Sequence, residues 1–72
     1  MRVNLSGPEG NAFYLMMLVG KLGTQLGLTQ EKIDDIIKQM KSAGYDNVVK
    51  VFGENFGVVV ELYKDGEPYD WH

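Results

Sequence analysis

The sequence lacks several residue types on which enzymes and metal sites depend. Its 72 residues include no cysteine, one histidine, one tryptophan and two prolines. The absence of cysteine excludes disulfide bonds, thiolate metal ligands and cysteine nucleophiles. The one histidine is His72, and the end of a chain is a poor place to hold a general base in position. We therefore expect no catalytic residues, no metal site and no cofactor.

Positive charge and long apolar runs are also scarce. Seven Lys and Arg residues stand against ten Asp and Glu residues, which gives a net charge of −3. This balance argues against a protein that binds nucleic acid by neutralising phosphates. The longest apolar run, residues 12–19, is too short to cross a bilayer, and residues 1–5 do not resemble a signal peptide. We expect a cytoplasmic protein without direct contact to nucleic acid or membrane.

What the sequence does contain is typical of one small globular domain. Hydrophobic residues make up 44% of the chain and charged residues 24%. A chain of this length supports one modest core, so residues 1–72 are read as a single domain, with residues 65–72 as a loosely ordered tail. Small cores without cross-links are often stabilised by a partner, and we therefore expect a homo-oligomer.

Three segments have clear periodicity. Residues 2–5 alternate polar and apolar and predict a strand. A helix is predicted from Ala12, with Asn11 as its N-cap and Gly27 at its end. A second helix follows Thr29, which is its predicted N-cap, and continues to Gly44. Its apolar positions recur with helical spacing: Ile33, Ile36, Ile37 and Met40.

The segment 46–56 is compatible with a helix or a hairpin. Its valines favour a strand, and residues 53–55 could turn a hairpin. A helix capped by Asp46 would place Val48, Val49, Phe52 and Phe56 on one face, away from the charged residues. We favour the helix, ended by Gly57 in a left-handed conformation.

Val58 to Tyr63 predicts a second strand, and residues 64–67 a turn. The predicted fold is a small α+β domain of order β-α-α-α-β, with the two terminal strands paired against a helical layer. Two strands alone make a marginal sheet, which again points to assembly.

The first helix carries the main candidate site. It is apolar on nearly every face and has glycines in its interior, which cost about 1 kcal/mol each relative to alanine and so call for close packing. That packing is either against another helix of the same chain or against a second copy. For the second case we predict a self-association surface formed by Phe13, Met16, Met17, Gly20 and Gly23.

The loop of residues 6–11 is the alternative site. It joins a strand to a helix N-terminus, where backbone N–H groups can hold an anion. A small ligand such as a nucleotide would then contact Ser6, Gly7, Gly10 and Asn11. The known phosphate-loop patterns are absent, and Glu9 places a negative charge where a phosphate would lie.

Two acidic groups of residues suggest a further alternative. They comprise Asp34 and Asp35 in the second helix, and Glu61, Asp65, Glu67 and Asp70 near Tyr69 and Trp71. Such a surface could imitate nucleic acid, but a net charge of −3 is mild and favours an ordinary solvated surface.

Residues 4–13, followed by Gln25-Leu26-Gly27-Leu28, carry a family resemblance. The chain resembles small uncharacterised proteins of phage and bacterial mobile-element origin that share an L-x-G-P-x-G-N-A-F opening. The resemblance implies no activity. It implies a phage-type protein that binds a host or defence protein, and it therefore supports a protein-interaction module.

Overall fold

The computed structural model describes residues 1–71. Its helices are α1 (Ala12–Gln25), α2 (Gln30–Lys41) and α3 (Tyr45–Phe56), and a short 3₁₀ turn covers Pro8–Gly10. Its strands are β1 (Arg2–Asn4), β2 (Glu61–Lys64) and β3 (Glu67–Pro68). The predicted α+β class is confirmed, and so is the order β-α-α-α-β up to β2.

The sheet has one strand more than the sequence predicted. Its order is β1-β2-β3, with β1 parallel to β2 and β3 antiparallel to β2. The predicted pairing of the first strand with the later one is confirmed, with Val3 opposite Leu62. Between β2 and β3, Asp65 (φ 54°) and Gly66 (φ 81°) both have positive φ, as a two-residue hairpin turn requires. The two predicted strands are therefore present, and β3 is a short third strand that the sequence did not predict.

All three helices and the sheet contribute to one core. Phe52 and Phe56 of α3 lie at its centre, with ring centroids 5.4 Å apart. Fourteen hydrophobic residues of the described chain are buried there: Val3, Leu15, Leu18, Val19, Ile33, Ile36, Met40, Val48, Val49, Val51, Phe52, Phe56, Val60 and Leu62. The core includes the predicted inward positions Ile33, Ile36 and Met40 of α2, whose N-cap Thr29 accepts a hydrogen bond from Lys32 N at 3.2 Å.

The segment 46–56 is a helix, as favoured. Val48, Phe52 and Phe56 are buried because they recur every fourth residue and so share the inward face of α3. The predicted cap is wrong, however. Gly44 occupies the N-cap position without a side-chain hydrogen bond, and Asp46 lies inside the first turn, where its negative charge still suits the helix dipole.

The residues after α3 also differ from the prediction. Gly57 has φ −60°, so it does not end α3 in the left-handed conformation, and the chain continues into a turn. Val58 and Val59 lie in that turn and are 95% and 45% exposed, and the strand begins only at Glu61. Strand propensity did not decide their structure because it depends on a pairing partner, which these two valines lack.

Residues 65–71 have more structure than a loosely ordered tail. They include β3, and the Tyr69 N–H donates to Leu62 O at 2.8 Å. Trp71 is half-buried and packs on the core. The candidate general base discussed above, His72, lies outside the described residues.

Candidate functional site

The outward face of α1 carries two large apolar side chains that the described chain leaves in contact with solvent. Phe13 is 79% exposed and Met17 is 56% exposed. Helical spacing places Gly20 on the same line as these two residues, while Leu15 and Val19 of the same helix are buried. Phe13, Met17 and Gly20 are called the α1 outer face below.

Local sequence signals fix where α1 begins and ends. The Asn11 side chain accepts a hydrogen bond from Phe13 N at 2.7 Å, which confirms Asn11 as the N-cap. Gly27, with φ 81°, takes the left-handed conformation just after the helix. Because the cap bonds directly to Phe13, the backbone that carries the exposed ring is held in place.

The five residues predicted for self-association fall into two groups. Gly23 is buried, and a Cβ there would lie 2.7 Å from Ile33 Cγ1, so this glycine lets α1 approach α2 within the chain. Met16 is half-buried and packs against the core. At Gly20, by contrast, a Cβ would meet no atom within 4 Å. The structure thus brings Phe13, Met17 and Gly20 together on an open surface, and assigns Gly23 to the interior.

Most backbone N–H groups of the loop of residues 6–11 are already hydrogen-bonded close by in the chain. Four of its backbone N–H groups donate within the segment 4–11: Ser6 to Asn4 Oδ1, Gly7 to Asn4 O, Gly10 to Gly7 O and Asn11 to Pro8 O. The Asn11 side chain is occupied as the α1 cap. An anion site needs several backbone N–H groups that are free and converge on one point. This geometry therefore gives the small-ligand alternative no support.

Contacts with β1 and α3 give the loop a structural role. A Cβ at Gly10 would collide with the Leu5 carbonyl, so only glycine fits where the loop crosses the end of β1. The Tyr45 hydroxyl donates to Gly10 O and ties the loop to α3. Burial, followed by the neighbouring Tyr69 and Asp46, raises the pKa of Tyr45, so its hydroxyl keeps the proton that this bond requires.

The loop also contacts the edge strand β1 and the turn between β2 and β3. Asn4 N donates to the Glu9 carboxylate at 3.4 Å, and Ser6 Oγ accepts from Asp65 N at 2.6 Å. Between the loop and the sheet lies a shallow cavity of about 290 Å³, lined by Arg2, Val3, Asn4, Glu9, Tyr63 and Gly66. It presents one positive and one negative side chain, and so favours neither an anion nor a cation.

Near this cavity, Tyr63 joins two oppositely charged residues. Its hydroxyl donates to Glu61 Oε2 at 2.9 Å, and this hydrogen bond is the main reason why the pKa of Tyr63 is raised. Arg2 lies over the Tyr63 ring at 5.2 Å and 3.4 Å from Glu61. Because both charged side chains are largely exposed, this pair adds little to stability.

The outward face of α2 carries charges of both signs. Its exposed acidic residues Glu31, Asp34 and Asp35 lie near the exposed lysines Lys32, Lys38 and Lys41. Such a surface is ordinary for a solvated helix, and it gives no support to imitation of nucleic acid. Within residues 1–71, no three carboxylate or imidazole groups are placed to hold a metal ion, and no helix is long and apolar enough to cross a bilayer.

Sequence reasoning missed a contact between the C-terminal segment and α3. A Cβ at Gly53 would lie 2.6 Å from Trp71 Cγ, and one at Gly57 would lie 2.7 Å from Trp71 Cζ2. The two glycines, one helical turn apart, therefore form a notch that holds the indole. We call it the Gly53–Gly57 notch. The four-residue spacing was the available signal, but nothing in it indicates which side chain fills the notch.

Comparison of the chain with protein-family models, with curated proteins and with solved structures found no match in any of the three. The resemblance to phage-type proteins is therefore neither supported nor opposed. A proposal about the function of the chain therefore depends on the physical properties of the described residues.

Proposed function

We propose that this protein is a self-associating protein-interaction module in which the α1 outer face pairs with the same face of a second copy. The observation that carries the proposal is the 79% exposure of Phe13 on a helix with a single charged residue, Lys21. A surface helix ordinarily turns polar residues to water, and an apolar outward face indicates a partner.

The α1 outer face is complementary to itself. Phe13 and Gly20 are seven residues apart, a distance of roughly 10 Å along the helix axis. In an antiparallel two-fold pair, the Phe13 ring of each copy would cover the open space at Gly20 of the other. Met17 would lie near the two-fold axis, where its flexible thioether can fill irregular gaps.

The size of the surface favours a reversible dimer. The 14 residues of α1 give a helix only about 21 Å long. A pair of such helices buries less than the roughly 800 Å² per partner of a standard stable interface. We therefore expect an equilibrium between monomer and dimer that shifts with protein concentration.

Sedimentation velocity over a concentration series tests this proposal through the variant Phe13→Asp. The variant removes the exposed ring and places a carboxylate in the first turn of α1, where the helix dipole favours negative charge, so the monomer should stay folded. We expect the wild type to shift from monomer to dimer and Phe13→Asp to stay monomeric at every concentration.

The matched control is Asp35→Ala on the exposed face of α2, which should associate like the wild type. A wild type that stays monomeric at its highest soluble concentration contradicts the proposal. So does a Phe13→Asp variant that associates as well as the control. The expectation that the module also binds a host or defence protein rests on the resemblance to phage-type proteins, and it stays a prediction.

A further inference from the structure

We infer that the Gly53–Gly57 notch is a binding site for an indole group, filled in this chain by its own Trp71. The indole lies directly on the α-carbons of both glycines: besides the contacts given above, Trp71 Cε2 would lie 2.7 Å from a Cβ at Gly53. Real Cβ atoms do not approach other atoms so closely. At Gly53 all of the close neighbours are Trp71 atoms, so this position must lack a side chain for the ring to fit. At Gly57 a Cβ would also lie 2.5 Å from Gly53 O, so glycine is required there by the helix backbone as well as by the ring.

Among the glycines in or next to helices, Gly23 also has a close neighbour, but that neighbour is the aliphatic side chain of Ile33 and not a ring. Gly20 and Gly44 would meet no atom within 4 Å, so their surroundings impose no requirement for glycine. Gly53 lies in the interior of α3, where glycine is less favourable for helix stability than alanine. The ring of Trp71, eighteen positions further along the chain, occupies the space at Gly53. The ligand class that fits this space is therefore a flat aromatic group.

The segment that delivers the indole follows the shortest strand of the sheet. β3 contains two residues, and beyond it the Tyr69 N–H bonds to Leu62 O. Trp71 itself is only half-buried, and Val58, next to Gly57, is 95% exposed, so this end of the notch borders solvent. The hairpin thus acts as a strap that the indole fastens to α3. When the strap is released, the notch is open to an indole from solution.

Replacing Trp71 by alanine and supplying N-acetyl-L-tryptophanamide tests the site directly. We expect the ligand to raise the thermal unfolding midpoint of Trp71→Ala in a saturable way, with a dissociation constant on the order of 1 mM. The wild type, whose notch is filled, should show no such rise, and neither should the double variant Gly53→Ala/Trp71→Ala. A folded Trp71→Ala variant that does not respond, or a wild type that responds equally, overturns the inference.

A second measurement applies even if Trp71→Ala does not fold. Trp71 is the only tryptophan, so intrinsic fluorescence reports on the notch alone. Gly53→Ala should expel the ring, shift the emission to longer wavelength and increase quenching by acrylamide. The control Gly44→Ala should leave both unchanged. If Gly53→Ala keeps the wild-type emission, the indole does not occupy the notch and the inference is wrong. Neither test depends on α1, so failure here and failure of the proposed dimer are distinguishable.

Discussion

The helices α1 and α2 pack against each other, yet the faces that they expose to solvent differ in polarity. Both begin at a side-chain cap and both bury a stripe of aliphatic residues. The 12 residues of α2 include six charged ones, and its outward face is polar. The 14 residues of α1 include only Lys21, and its outward face presents Phe13 and Met17.

In each helix the inward positions depend on the fold, whereas the outward positions are free to serve a function. The inward stripe of either helix is explained by the core of the chain itself. Contact with solvent accounts for the polar outward face of α2. Neither packing in the core nor contact with solvent accounts for the apolar outward face of α1. The glycines of α1 divide in the same way, since Gly23 faces α2 and Gly20 faces outward.

Replacing the glycines of α1 by valine should reveal the largest difference between its inward and outward faces, in the free energy of unfolding. Gly23→Val would force new methyl groups into Ile33, because even a Cβ there lies 2.7 Å from Ile33 Cγ1. We expect the free energy of unfolding to fall by about 2 kcal/mol, as is usual when a packed interior is overfilled. Urea denaturation, at a concentration where the wild type is monomeric, measures this loss.

Gly20→Val is the matched control, since its side chain enters open space. Its free energy of unfolding should stay within about 0.5 kcal/mol of the wild type, because valine is a slightly better helix former than glycine. In the sedimentation assay, however, Gly20→Val should weaken association by filling the space that Phe13 of the partner requires. Equal losses of stability at both positions would show that the two faces of α1 are not distinct.

A smaller effect is expected where the two helices are most alike, at their caps. Asn11→Ala removes the acceptor for Phe13 N, and Thr29→Ala removes the acceptor for Lys32 N. Each change should lower the free energy of unfolding by about 1 kcal/mol. Asn11→Ala should also weaken association, because the cap holds the backbone of Phe13. Association of Thr29→Ala should match that of the wild type, and a Thr29 variant that loses dimer would contradict this assignment of roles.

Local signals were sufficient to predict most of the elements. The caps Asn11 and Thr29 and the end of α1 near Gly27 each depend on only a few neighbouring residues, and all three are confirmed. The helix over 46–56 was predictable because its charged residues fall on one side of a helix but would mix with the valines in a strand. Val58 and Val59 were misassigned because strand propensity takes effect only where a partner strand is present.

The rest depends on contacts between residues far apart in the chain. The Asp65-Gly66 turn was visible in the sequence, but the pairing of Glu67 and Pro68 with β2 was not inferred from it. The position of Trp71 on α3 has no periodic signature. Of the five residues predicted for self-association, spacing alone could not separate Gly20 from Gly23, because both lie on a helix that is apolar all round. Only the position of α2 makes that distinction.

The smallest expected effect is that of salt on the dimer, and it distinguishes the two outward faces without a mutation. The Debye length falls from roughly 10 Å at 0.1 M salt to about 3 Å at 1 M, so an interface formed by the charges of α2 would weaken several-fold over this range. The α1 outer face has no charge to screen, and we expect its dissociation constant to change by less than about twofold in sodium chloride. Sodium sulfate, which strengthens apolar burial, should tighten the dimer. Sedimentation in the two salts at matched ionic strength measures both effects. If sodium chloride dissociates the dimer, the interface is formed by the charged face of α2 and not by the α1 outer face.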